Sequence, residues 1–350
     1  MGQGTRGKVL VTGATGYVAG FCIRELLEHG YDVRGTVRNV KTSNVSHLRP
    51  LGEVEIAQAT LDDDAGWGEA AAGCDYILHV ASPIPFKAPK HEDELIRPAV
   101  DGTRRVLAAA SEAGVKRVVY TSTLDAATRN TATAGQVHTE EDWSDLADCN
   151  AYAKSKLLAE QAAWALAADR GLELATILPG AVIGPQLQVT VNKDSTSDLV
   201  RRMLAGDMPA IPPLSIAFSD VRDLATAHRL ALEIPAAAGN RYICADGPLW
   251  MTDIAAILKD EYGPRGYRVS TRPVPPWVIR AAALVNDQAK LAADMLGAAH
   301  AITAEKARHD LGWAQRPVRQ TIIETAEHLI EQGLVRPRRP NNSKKEGVPA

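Results

Sequence analysis

A chain of 350 residues has room for one large domain or two smaller ones with an ample interior. With 45% hydrophobic and 23% charged residues, and 39 basic against 42 acidic side chains (formal net charge -3), it reads as a globular protein. It lacks the basic excess that a nucleic-acid binder needs to displace counterions. No apolar run approaches the roughly 18 residues of a membrane helix. Cys22, Cys74, Cys149 and Cys244 form no C-x-x-C pair. Neither a disulfide framework nor a zinc knuckle is expected, and a reducing, cytoplasmic setting fits.

The first half alternates short β-rich runs with helical patterns. Residues 8–12 read as a strand and 17–29 as a helix closed by Gly30. Strands follow at 32–37, 54–58 and 76–80, then a long helix at 92–113, a fifth strand at 117–121, an alanine-rich helix at 151–169 and a sixth strand at 172–178. This alternation predicts an α/β fold, a Rossmann-type doubly wound parallel sheet covered on both faces. The regularity fades after Pro179. Residues 185–213 read as polar loop with one helix near 197–205. A helix at 221–232, one more sheet strand at 241–245 and helices at 251–262 and 278–296 complete the pattern. The expected organisation is a sheet unit over 1–183 with later elements from about 216–246, and a smaller, mostly C-terminal lobe from 184–215 and 247–335. The Pro-rich, charged tail, 336–350, is expected to be disordered.

Between the first strand and first helix runs Thr12-Gly13-Ala14-Thr15-Gly16-Tyr17-Val18-Ala19. Gly13 suits a tight turn, Gly16 the close approach of a pyrophosphate to backbone, and Ala19 the close packing of helix on strand. The phosphates would lie at the helix N-terminus, where free N–H groups and the dipole favour negative charge. The spacing departs from G-x-G-x-x-G, and small residues at such a turn also serve packing alone. Its place at the first βα turn of an alternating chain is what favours the nucleotide reading. The second strand ends Gly35-Thr36-Val37-Arg38, without the acid that usually bonds the ribose 2′-hydroxyl of NAD. Arg38 offers a planar fork of donors for the 2′-phosphate of NADP, with Lys41 nearby; the alternative is a solvated surface arginine.

Tyr152 and Lys156 are four apart on a predicted helix, so they share a face. Of the eight tyrosines only Tyr152 has a lysine four positions on. That helix follows the fifth strand, whose carboxyl end carries Thr121-Ser122-Thr123, and ligands of open parallel sheets bind at the carboxyl ends of strands. Carbonyl reduction develops negative charge on oxygen, so it needs a proton donor and a second donor to hold the oxygen. A phenol near its usual pKa of about 10 is a sluggish partner at neutrality. The Lys156 ammonium is expected to lower it and to bond the ribose hydroxyls, while Thr123 holds the substrate oxygen. This chemistry requires no metal, and no ligand cluster is evident in the sequence.

These residues resemble a known family. TGATGYVA (12–19), TVR (36–38), HVASP (79–83), VVYTST (118–123), YAKSK (152–156), PGAVIGP (179–185), VRDLATAH (221–228), RYICA (241–245) and LGW (311–313) are together similar to the extended short-chain dehydrogenase/reductases. Within them the chain resembles the dihydroflavonol reductase, cinnamoyl-CoA reductase and aldehyde or methylglyoxal reductase group, over about residues 8–335.

The resemblance implies an NADP(H)-dependent reductase acting on a small-molecule carbonyl compound. It implies a Thr123, Tyr152, Lys156 triad, with threonine where serine is more usual. For the cofactor it implies Gly13, Thr15, Gly16, Tyr17 and Val18 at the turn, Arg38 at the 2′-phosphate and Leu61 near adenine. Val80 and Ala81 would lie along the dinucleotide, with Pro179 and Val182 at the nicotinamide, and Lys156 and Tyr152 beside it. Ser82 would line the substrate entrance, and His79 would be a packed strand residue. Thr60-Leu61 stands where the family has Asp-Leu, and Thr128 where flavonoid reductases carry an asparagine for ring hydroxyls. The second departure favours a generic aldehyde or ketone over a flavonoid. The family assembles as monomers or homodimers.

Four other functions share this scaffold. A sugar-nucleotide dehydratase needs an acid pair after the strand-five threonine, where this chain has Leu124-Asp125. An epimerase usually has an acid at the end of strand two. A hydroxysteroid dehydrogenase is a further oxidative option, and a non-enzymatic NADP-binding regulator would usually have lost the Tyr/Lys pair.

Overall fold

The computed structural model describes residues 5–83, 89, 91–129, 136–188, 196–285, 289, 292–293, 296 and 301–337. Its centre is a seven-stranded parallel sheet. In chain order the strands are β1 (Lys8–Val11), β2 (Asp32–Val37), β3 (Val54–Gln58), β4 (Tyr76–His79), β5 (Arg117–Thr121), β7 (Glu173–Pro179) and β10 (Arg241–Cys244). Their spatial order is β10-β7-β5-β4-β1-β2-β3. The chain winds outward from β1 to β3, then returns to β4 on the other side of β1, which opens a crevice at the carboxyl ends of β1 and β4. Register sets the crevice floor: Val11, the last residue of β1, pairs with both Gly35 and Leu78, and β2 and β4 run two and one residues further, to Val37 and His79.

Alternation along each strand buries both faces, as a parallel sheet requires. In β1, Val9 and Val11 join the core under α1 (Tyr17–Glu28) and α6 (Val221–Glu233). Leu10 points to the opposite core under α2 (Trp67–Ala71), α3 (Asp93–Glu112) and α4 (Ala151–Arg170). Each fully buried Leu or Ile, such as Leu78 and Ile77, contributes roughly 1.5–3 kcal/mol over exposure.

A second core belongs to the smaller lobe. A three-stranded sheet of β8 (Ala181–Ile183), β9 (Ser215–Asp220) and β11 (Asp246–Trp250) packs with α5 (Thr196–Ala205), α7 (Met251–Tyr262) and α10 (Val318–Glu331). The lobe is stitched to the main sheet twice, since β7 continues through Gly180 into β8 and β10 continues through Ala245 into β11. Only glycine fits at 180, where a Cβ would lie 2.3 Å from the Ala217 carbonyl oxygen.

Three expectations need correction. Elements from about 216 are expected with the main sheet unit; residues 215–220 instead form a strand of the lobe sheet that leads back from the lobe into α6. The helix expected over 278–296 is α8 (Pro276–Ala282); turns follow at 283–285, and much of the remainder lies outside the described residues. Helices α2, α9 (Glu305–Leu311) and α10, and the short pair β6 (Val137–His138) with β12 (Ala301–Ile302), were not expected. Of the tail, 338–350 lie outside the described residues. Among the described residues no helix is long and apolar enough to cross a membrane.

Candidate active site

The glycine turn is held from three sides. Gly13 has φ 71°, a conformation that costs L side chains and not glycine. Its N–H donates to Thr36 Oγ1 at 3.0 Å, and the Ala14 N–H to the Thr36 carbonyl at 2.8 Å. Thr12 Oγ1 accepts from the Val80 and Ala81 N–H groups at 3.0 and 2.9 Å, so the ends of β1 and β4 are bonded together. A Cβ at Gly16 would press on the Gly13 carbonyl at 3.1 Å. Helix α1 starts here with Gly16 as its N-cap, no capping side chain and no acid in its first turn, so its N–H groups and positive dipole end are free to meet an anion. Val18 packs at the edge of the core beneath them.

Around this turn Thr15, Gly16 and Tyr17 face His47, Gln186, Leu187 and Gln188 across a cavity of about 40 Å³. Gln188 Nε2 donates to the Thr15 carbonyl at 3.2 Å and lies 3.3 Å from His47 Nδ1. Burial pushes the His47 imidazole below its usual pKa. Neither His47 nor Gln188 was expected here, and a lone His or Gln in a loop carries no sequence signal for it. Arg38 and Lys41 are exposed beyond the end of β2, and Arg38 has no bonding partner among the described residues. Leu61 is half-buried: its side chain packs on Gly102 of α3, and its carbonyl accepts from Arg105 Nη1 at 2.6 Å.

At the other end of the crevice α4 meets β5. The alanine-rich run is started by Asn150, whose Oδ1 accepts from the Ala153 N–H at 2.9 Å, and ended by Gly171 at φ 61°. The Thr123 hydroxyl lies beside the Tyr152 phenol and favours its ionised form. Thr123 also caps a 3-10 turn at Leu124–Ala126. Lys156, one helical turn behind Tyr152, is 3% exposed and donates from Nζ to the Thr121 carbonyl at 2.7 Å. Its ammonium lies 5.0 Å from the Tyr120 ring centre. Burial depresses Lys156 to about 8, against the neighbouring Glu160 carboxylate, which raises it.

The phenol departs from expectation. Burial and the Asp125 carboxylate raise the pKa of Tyr152, and only the neighbouring Thr123 hydroxyl lowers it. The Lys156 ammonium is turned to a backbone carbonyl, so it does not act as the expected counterweight.

Behind this pair lies a network that the sequence reading missed. Glu160, 0% exposed, accepts from Ser122 Oγ at 2.5 Å, Thr176 Oγ1 at 2.9 Å and Arg241 Nε at 2.8 Å. The signal was present: Tyr152, Lys156 and Glu160 recur every four residues on one helix face.

The remaining expected residues lie on β4, β7 and β8 and on the segments after β4 and β5. His79 is buried, with Nδ1 2.9 Å from Thr12 Oγ1, and is pushed down to about 3 by burial, so it is a neutral packed residue, as expected. Val80, Ala81 and Ser82 are half-buried after β4, and residues 84–88 lie outside the described residues. Pro179 ends β7 opposite Cys244, and Val182 in β8 pairs with Ser219. Thr128 is 4% exposed and donates to the Leu124 carbonyl at 3.0 Å, so its hydroxyl is already engaged. Among the described residues no group of His, Cys, Asp or Glu could hold a metal ion.

Residues 9–245 match the NAD dependent epimerase/dehydratase family. Cinnamoyl-CoA reductase 1 of Petunia hybrida is 35% identical over 334 residues, covering 93% of this chain and 92% of that one. Dihydroflavonol 4-reductase of Zea mays is 36% identical over 278 residues, covering 75% and 76%. Among solved structures, yeast methylglyoxal/isovaleraldehyde reductase Gre2 complexed with NADPH is similar with TM-score 0.77 at 25% identity, over 94% of this chain and 100% of that one.

Proposed function

Because the chain belongs to the NAD dependent epimerase/dehydratase family, the extended short-chain dehydrogenase/reductases, we propose that it reduces an aldehyde or ketone to the alcohol with NADPH, Tyr152 giving the proton. One observation carries this reading: the Thr123 and Tyr152 hydroxyls meet at the carboxyl end of β5, with Lys156 buried one turn behind.

The residues fit the cofactor. Gly13, Thr15, Gly16, Tyr17 and the start of α1 would hold the pyrophosphate, and Arg38 the 2′-phosphate. Leu61, Val80, Ala81, Pro179 and Val182 would line the rest. The reduced nicotinamide supplies the hydride when bound. NADPH is what the similar yeast reductase carries, and the absence of an acid at the end of β2 favours the phosphorylated form.

The chain's own part is proton supply and placement. A phenol held above its ordinary pKa is fully protonated at neutrality, which is the form a reduction consumes. Thr123 gives the substrate oxygen a second donor. Lys156, depressed to about 8, is still mostly charged at neutral pH; it can bond ribose hydroxyls, and it would stabilise the phenolate left after proton transfer once it leaves the Thr121 carbonyl. Asp125 is paired with Arg129 at 2.8 Å, so it is not available as the acid a dehydratase needs. Ser82 and the lobe around 184–215 and 247–335 would supply the substrate wall.

The test is NADPH consumption, followed optically, with a panel of aldehydes and β-keto esters. Turnover with several of them is expected. Tight NADPH binding with no oxidation by any carbonyl would leave a regulator in place of an enzyme.

A further inference from the structure

Glu160 is a fully buried carboxylate, and the reaction above gives it no task. A buried charge persists only when it is paired and hydrogen-bonded. Arg241 pairs it from β10, with Nε at 2.8 Å and Nη2 at 3.3 Å. Ser122, Thr176 and Trp164 Nε1 (3.3 Å) complete its shell. Arg241 in turn donates to the Glu140 and Asp142 carbonyls at 2.8 and 2.6 Å and stacks on Trp143 at 3.8 Å.

Two of these contacts point at the chemistry. Ser122 sits between Thr121, whose carbonyl holds the Lys156 ammonium, and Thr123, whose hydroxyl meets Tyr152. Glu160 is also the next residue after Lys156 on the same helix face. We propose that Glu160 is a positioning residue for carbonyl reduction: through Ser122 it fixes the strand end carrying Thr121 and Thr123, and it stands one helical turn beyond the buried Lys156 ammonium. This rests on the triad reading above.

The groups that face Lys156 are few. On its own helix they are Tyr152 and Glu160. From β5 come the Tyr120 ring and the Thr121 carbonyl, and from β4 comes neutral His79. On α6, His228 bonds the Thr121 hydroxyl at 2.7 Å and is itself pushed down to about 4. Of these the Glu160 carboxylate is the charge that favours the ammonium, against the burial that disfavours it.

The sign follows. In turnover, once freed from the Thr121 carbonyl, Lys156 must be charged to stabilise the phenolate, so activity falls as pH rises through its titration. Removing the carboxylate lowers that titration. Glu160→Gln is expected to move the alkaline limb of kcat/KM down by about one pH unit. In the protein without added cofactor, isotope-labelled lysine NMR should show the Lys156 resonance, identified by its loss in Lys156→Met, shifting by the same amount. Glu160→Asp should keep the limb near the parent's position even where the rate falls. Since Glu160→Gln leaves Arg241 buried and unpaired, the double variant Glu160→Gln/Arg241→Gln keeps the test available if the single one does not fold, and it should show the same shift. A folded variant whose limb and Lys156 resonance both stay at the parent's positions overturns the proposal, whatever its rate. If Tyr152→Phe instead retains activity, the triad reading fails, while the NMR shift still reports on Glu160 alone.

Discussion

The two ends of the crevice are built on opposite plans. At the β5–α4 end, Thr123, Tyr152 and Lys156 are set against protein groups and largely withdrawn from solvent. At the β1–β2 end, α1 starts without a cap, Arg38 projects into solvent, and a single amide, Gln188, bridges the turn through contacts of 3.2–3.4 Å. The difference is physical. Stabilising a developing charge is most effective when donors are already oriented and dry, because nothing has to reorganise at the moment of reaction. Holding a multiply charged ligand needs donors that are free to receive it, so that end is left for the ligand to complete.

Breaking the preorganised end should have the largest effect. Tyr152→Phe removes one oxygen from a packed side chain. It is expected to cost roughly 10²–10⁴-fold in kcat, the usual worth of a positioned proton donor, with NADPH affinity and thermal stability nearly unchanged. Activity within a few-fold of the parent would show that the phenol supplies no proton.

At the open end the effect should be smaller and should sort by cofactor. Arg38→Ala is expected to weaken NADPH by about tenfold to a hundredfold, since a hydrogen bond to a charged group contributes about 1.5–3 kcal/mol. NADH binding should hardly move, because Arg38 has no structural partner among the described residues to lose. Titration of both dinucleotides into both proteins decides it. Equal losses would mean that Arg38 does not touch the 2′-phosphate.

The sheet and both ends of this crevice were legible because their signals are local. The strands are short apolar, β-branched runs, Gly13 and Gly16 mark the first turn, and Tyr152 and Lys156 recur with the period of a helix. What escaped depends on distant pairing. Strand 215–220 has ordinary strand chemistry, and only its partners, Ala181–Ile183 and Asp246–Trp250, place it in the lobe. Helix α10 buries Ile322, Ala326 and Leu329 at helical spacing, yet Thr325 and His328 interrupt its apolar stripe. Arg241 looks like one more strand residue until the fold sets it against Glu160, 81 positions away. The lowering of the Tyr152 phenol was expected from spacing alone. Spacing brought Lys156 to the right face but did not reveal that the Thr121 carbonyl would claim its ammonium.

Thr128 gives the smallest effect and the sharpest check on substrate class. It lies on the segment after Thr123, where the resemblance to flavonoid reductases would have a side chain reach for ring hydroxyls. In this chain the hydroxyl is buried and donates to the Leu124 carbonyl, which also accepts the Thr128 and Ala127 N–H groups at 3.0 and 2.8 Å. Thr128→Val keeps the shape and removes that donor while leaving the carbonyl two partners. It should cost about 1 kcal/mol of stability at most. The rank order of carbonyl substrates should not change, since a methyl replaces a hydroxyl that faces backbone. If the ranking of substrates with and without ring hydroxyls reverses, Thr128 reaches the pocket during turnover, and the preorganised end extends five residues beyond Thr123.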